Sequence, residues 1–204
     1  ELGPTVQLAQ LAQGQTPYQV RISLARGVPL VDVKSDLQGM ALNLPEPFNK
    51  PAAEAWPVHF ASSLTDPAGT STPIREQMAL DVEGRAQLRY VMELGADAQA
   101  PSKVVSGAIR IGSGALAVPA KGVAAEVNLP QLNVLDWQKL VQRFKTAEAP
   151  AQTAAPQPRS SYADRLEDYL PDHWDVRLGR LQVRGFDVQK LQLRGSRNGQ
   201  RWSN

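Results

Sequence analysis

The longest run of strict alternation opens at Tyr18. Tyr18, Val20, Ile22 and Leu24 are apolar, and Gln19, Arg21 and Ser23 between them are polar. That period of two predicts a half-buried β-strand. Arg26-Gly27 turns the chain, and Val28–Val33 and Gly39–Leu44 are the next strand candidates. A stiff block, Pro45 to Pro51, stops the pattern, which restarts at Trp56, Val58 and Phe60. After a turn-rich loop from Thr65 to Pro73, Met78, Leu80 and Val82 alternate, then Leu88, Tyr90, Met92 and Leu94. Glu83-Gly84 between these two runs predicts a β-hairpin. Ser106–Ile111 and Ala115–Val118 are read as a further pair around Gly112-Ser113-Gly114. Val123, Ala125, Val127 and Leu129 close the series.

The period changes at Leu132. Leu135, Leu140, Val141 and Phe144, with Trp137 beside them, predict a helix of about three turns, capped by Asn133 or Asp136. A Pro/Ala/Gln-rich stretch from Ala147 to Pro158 is expected to be a linker or loop. Ser161–Leu170 is a second, short helix candidate, ended by Pro171. From Trp174 to Leu193 the period returns to two, with Arg177, Arg180, Arg184 and Arg194 in the intervening places. That reads as a meander of short antiparallel strands with one apolar and one polar face. At the N-terminal end, Val6–Gln15 fits helix and strand equally.

The expected fold is mainly β: a curved antiparallel meander or groove, shaped like a taco shell, with one or two short helices. The expected division is a β-rich domain over 1–145, a linker over 146–160, and a short helix with the next strands over 161–204.

Composition narrows the functions open to such a fold. The chain has 204 residues, 42% of them hydrophobic and 6% aromatic, so aliphatic side chains must supply most of its apolar surface. A net charge of +2, with both signs interspersed, lacks the clustered basic face of a nucleic-acid binder. There is no cysteine, which excludes disulfides, thiolate metal sites and a cysteine nucleophile. No apolar run is long enough to cross a bilayer as a helix. The chain starts at Glu1 without Met and ends in mid-pattern, so it reads as a piece of a longer protein.

No constellation for chemistry emerges. His59 and His173 are far apart in sequence, and His59 alternates with Trp56, Val58 and Phe60, which turns it outward. A metal site needs several convergent ligands, so neither a metal nor another cofactor is expected. Asp164, Glu167, Asp168, Asp172 and Asp175 fall along a helix and its exit beside Arg165, the pattern of a solvated face. A glycosidase needs two carboxyl groups facing each other across a sugar. The alternating arginines fit protection of a sheet edge. No catalytic residue is assigned.

The alternating strands themselves are compatible with a closed core or with a long apolar trough. If a trough, its lining is the in-phase set Met40, Leu42, Leu44, Met78, Leu80, Val82, Leu88, Tyr90, Met92, Ile109, Ile111, Val176, Leu178, Leu181 and Val183.

Three stretches resemble a known family. Ser35-Asp36-Leu37-Gln38-Gly39-Met40, running on to Leu44-Pro45-Glu46-Pro47-Phe48-Asn49-Lys50-Pro51-Ala52, is similar to a strand and proline block of bacterial YhdP-type proteins of the AsmA-like superfamily. Gly107-Ala108-Ile109-Arg110-Ile111-Gly112, with Gly122-Val123 and Leu132-Asn133-Val134-Leu135-Asp136-Trp137, resembles that family's closing strands and helix. Trp174-Asp175-Val176-Arg177 through Leu191-Gln192-Leu193 resembles the repeat that follows. The resemblance implies a periplasmic segment of an inner-membrane-anchored bacterial protein, related to bridge-like lipid transfer proteins. Its implied partner is phospholipid, carried toward the outer membrane in an apolar groove. Other envelope proteins are further implied partners, nucleic acid is not, and membrane contact is expected through the parent chain outside this segment. The alternative is a non-catalytic scaffold or protein-interaction module of the cell envelope.

Overall fold

The computed structural model describes residues 11–95, 100–147, 168–183, 185–198 and 201–203. Most of the expected strands form. In chain order these are β1 (Ala12–Gly14), β2 (Tyr18–Ala25), β3 (Val28–Ser35), β4 (Met40–Leu42), β5 (Val58–Leu64), β6 (Arg75–Val82) and β7 (Ala86–Glu93). β8 (Lys103–Gly112) and β9 (Gly122–Asn133) lead into the helix α1 (Val134–Ala147). β10 (His173–Val183), β11 (Phe186–Asn198) and β12 (Arg201–Ser203) complete the chain. Among the described residues ten strands form one sheet, in the order β12-β11-β10-β9-β8-β7-β6-β5-β3-β2, while β1 and β4 pair separately. The large sheet is curved and is not closed into a barrel.

The sheet is mainly antiparallel, as the pattern predicts, with two parallel steps that the pattern does not announce. β8 pairs with β9 in parallel, Ser106 opposite Gly122 and Gly112 opposite Asn128. The expected strand at Ala115–Val118 is therefore absent, and 113–121 is a crossover instead. Nine extended residues reach roughly 30 Å, enough to return along the seven paired residues of β8 without a helix. The Asn128 amide fixes the start of this crossover by donating to the Ser113 carbonyl at 3.2 Å and hydroxyl at 3.0 Å.

β9 pairs in parallel with β10, so the strands on both sides of α1 belong to one sheet. The expected series of short strands after Trp174 is one long hairpin, β10 with β11, followed by β12. Asn133 is the helix cap: its side-chain oxygen accepts the Leu135 N–H at 3.0 Å, while Asp136 pairs with Lys139 inside the first turn. Most of the expected linker and the second helix candidate up to residue 167 lie outside the described residues, as does the ambiguous stretch up to residue 10. The Phe144 side chain lies outside them too.

The segment between β3 and β5 is built around Lys50, which is 1% exposed. Its ammonium donates to the carbonyls of Leu37 and Met40 at 2.7 Å and of Pro51 at 3.2 Å. Leu42 and Lys50 exchange both backbone bonds, and Gly39 N–H bonds Ala52 O. Leu37 N–H is taken by the Ser35 hydroxyl, and the Gln38 N–H by the Asp36 carboxylate. Gly39 has φ 91° and packs on the Gln15 carbonyl, where a Cβ would collide. Ser35, Asp36, Gly39 and Lys50 thus shape one turn, a cage whose carbonyls converge on the Lys50 ammonium. Outside the cage, Trp137 on α1 meets Phe48 edge-on at 6.0 Å and donates to the Glu46 carbonyl, which ties the proline block to the helix.

Candidate functional site

Pairing registers sort the side chains of the sheet into rows that run across it. One row reads Val20, Val33, Phe60, Leu80, Leu88, Ile109, Ala125, Trp174 and Gly195, each directly opposite the next. The adjacent residues, one position along each strand, read Gln19, Lys34, His59, Asp81, Gln87, Arg110, Glu126, Asp175 and Arg194. Successive strand residues point to opposite faces, so one face is apolar across nine strands and the other is polar across the same nine. Eight inter-strand steps of about 4.8 Å make the apolar stripe roughly 38 Å long.

The polar face is linked side chain to side chain. Gln87 donates to Asp81 at 2.5 Å, and Arg110 donates to Gln87 at 2.7 Å. His59 meets Asp32 at 2.7 Å, and its hydrogen bond holds the Asp32 carboxyl below the usual range. Asp175 accepts from Arg177 at 2.9 Å and Arg194 at 3.0 Å, and these bonds hold its carboxyl low as well. The His59–Asp32 pair and the Asp175 pairs are largely exposed and add little stability, whereas Arg110 is buried, with Gly114 of the crossover close to its side chain.

The apolar face changes character along its length. Over β7 it is covered. Tyr90 is buried on Gly107, directly across from it, where an added Cβ would lie 2.5 Å from the ring. Tyr169 packs edge-on against Tyr90 at 5.3 Å, accepts its hydroxyl on the Tyr169 carbonyl at 2.8 Å, and donates to the Met92 sulfur at 3.2 Å. Burial there pushes the Tyr90 phenol up. Trp174 lies on Gly195 in the same manner. Toward the β2 edge the cover ends: Tyr18, Val20, Ile22 and Leu24 are 69%, 50%, 70% and 73% exposed.

Of the predicted lining residues, Met78, Leu80, Val82, Leu88, Tyr90, Met92, Ile109, Ile111, Val176 and Leu178 fall in these apolar rows. Met40 and Leu42 do not, because β4 pairs with β1 and not with the large sheet. Leu44 instead lines a hollow of about 260 Å³ with Leu140 and Lys139 of α1. Leu181 and Val183 are out of phase with Leu178. The Gly179–Lys190 and Gly179–Pro130 rungs do not pair and Lys190 has φ 53°, so strict alternation from Leu178 stops there and does not carry to Leu181 and Val183. The β2 stripe shares the period and phase of the set and could have been added on that ground. Tyr169 sits in a stretch with no strand signal, so nothing in the pattern marks it.

Among the described residues no group of three or more His, Cys, Asp or Glu could hold a metal ion. Nor does any described helix have the length and apolarity to cross a membrane. The arrangement offers an apolar row of side chains backed by a polar one. Compared with known families, residues 3–204 match the one described as YhdP protein. The chain belongs to the YhdP family. This is a family of bacterial envelope proteins, within the AsmA-like superfamily, and it is not a known enzyme family. No curated protein and no solved structure matches the chain. The Lys50 cage and the Trp137–Glu46 clasp give the physical content of the motifs that resemble this family.

Proposed function

We propose that the apolar face shields phospholipid acyl chains in transit between the inner and outer membranes, in a periplasmic segment of an inner-membrane-anchored protein. The observation that supports this reading most is the nine-strand apolar row left open at β2 and backed by a wholly polar row. A soluble sheet has no reason to leave Ile22 and Leu24 uncovered unless something apolar visits them. Covering a Leu or Ile completely is worth about 1.5–3 kcal/mol. Covering the β2 stripe, half to three-quarters exposed, is therefore worth roughly 4–8 kcal/mol. The cargo is held by burial alone, so the segment works without catalysis.

A photo-crosslinking residue at Ile22, on the open stripe, is expected to capture phospholipid in cells. The same residue at Arg21, one position along on the opposite face, is expected to capture none. Equal yields at both positions, or none at Ile22 with no phospholipid found by mass spectrometry of the purified chain, would overturn the reading. The second reading, a non-catalytic envelope scaffold, has one observation on its side: Tyr169 already fills the face over Tyr90 and Met92. It predicts a chain free of lipid.

A further inference from the structure

We propose that the tip of the β10–β11 hairpin docks on an anionic lipid surface. Beyond Gly179, Leu181 and Val183 pair with Val188 and Phe186. Phe186 is 75% exposed and Val188 42%.

Charge decides the partner. Residues 173–203 hold seven Lys or Arg and two Asp, a net +5, while the whole chain carries +2 and the remainder therefore −3. Two of those cations, Arg177 and Arg194, share the single carboxylate of Asp175. Lys190 forms no ion pair among the described residues. An apolar tip backed by surplus cations complements a membrane with anionic headgroups.

Geometry orders the contact. Rungs two residues apart along a strand are separated by about 7 Å. The Val183–Phe186 rung comes first, Leu181–Val188 about 7 Å behind it, and Lys190 about 7 Å further back along β11. Apolar elements at a membrane surface sink about 5–10 Å into the headgroup boundary. At that depth Phe186 and Val188 are in the boundary and Lys190 is level with the phosphates.

The test is sedimentation of the chain with vesicles of phosphatidylcholine alone or mixed with phosphatidylglycerol. Binding is expected only to the mixed vesicles and is expected to weaken with salt. Phe186→Ser should reduce it about tenfold, and Lys190→Gln about fivefold. Both positions are exposed, so the variants should unfold at the wild-type temperature. Equal affinity for the two vesicles, no affinity for either, or full binding by folded Phe186→Ser would overturn the proposal. Crosslinking at Ile22 reports the groove separately, so the two readings can fail one at a time.

Discussion

Replacing Lys50 by Met tests whether the buried ammonium organises the segment between β3 and β5. The substitution keeps chain length and most of the volume but removes three charge-assisted hydrogen bonds, two of them at 2.7 Å. The carbonyls of Leu37, Met40 and Pro51 then lose their donor in a place that Lys50 itself, at 1% exposed, shows to be dry. Each orphaned carbonyl costs about 1–3 kcal/mol. Against that, no charge need be buried any longer, which returns several kcal/mol of desolvation. The balance expected is a loss of about 3 kcal/mol, the low end for breaking a buried charge interaction. In a chain of this size that lowers Tm by about 6–12 °C. Urea unfolding of the two proteins side by side is the assay. A loss below about 1 kcal/mol would refute the reasoning, because the carbonyls would then be satisfied by water as well as by the ammonium. So would a gain in stability, which is the outcome when an apolar side chain replaces a charge whose partners need nothing in return.

Two further outcomes are expected. Gly107→Ala places a methyl group 2.5 Å from the Tyr90 ring; overpacking of this kind costs about 1–3 kcal/mol, and the near-ultraviolet dichroism of the tyrosine pair should change with it. Unchanged spectra and Tm would show that Tyr90 does not rest on Gly107. Asp175→Asn should weaken the β10–β11 hairpin at neutral pH, because Asp175 anchors Arg177 and Arg194. Since the folded carboxyl titrates below its ordinary value, the wild-type advantage is fully present above about pH 3.9 and fades as the pH falls through the folded value. A difference between the two proteins that persisted into stronger acid would refute the assignment.

Periodicity made most strands legible because a two-sided sheet imposes the same alternation on every strand. Ile22, Leu80, Leu88 and Ile109 each announce their face without reference to any neighbour. The same logic misplaced Met40 and Leu42. Their alternation is as regular as the others, but alternation says nothing about which strand lies alongside, and β4 chose β1. The crossover at 113–121 was hidden for a related reason. Gly112-Ser113-Gly114 has hairpin-turn composition, while the direction of β9 is set by pairing from Ser106 to Gly112 with Gly122 to Asn128. Leu181 and Val183 follow Leu178 at an odd spacing, and the unpaired Gly179–Lys190 rung, with Lys190 at φ 53°, is where the strands leave strict alternation.

By itself the sequence determined the class of the fold, the two-faced strands, and a helix of about three turns around Leu135 with Asn133 or Asp136 as its cap. These follow from local pattern and residue chemistry, which the chain carries whatever its neighbours are. Only the tertiary structure decided which apolar residues are covered. Tyr18 and Leu88 follow the same alternation, but a strand at the edge of a sheet has one neighbour and a central strand has two. Burial is a property of neighbours in space. The open β2 stripe, the Tyr169 cover over Tyr90 and the lysine cage at Lys50 all depend on contacts between residues distant in sequence.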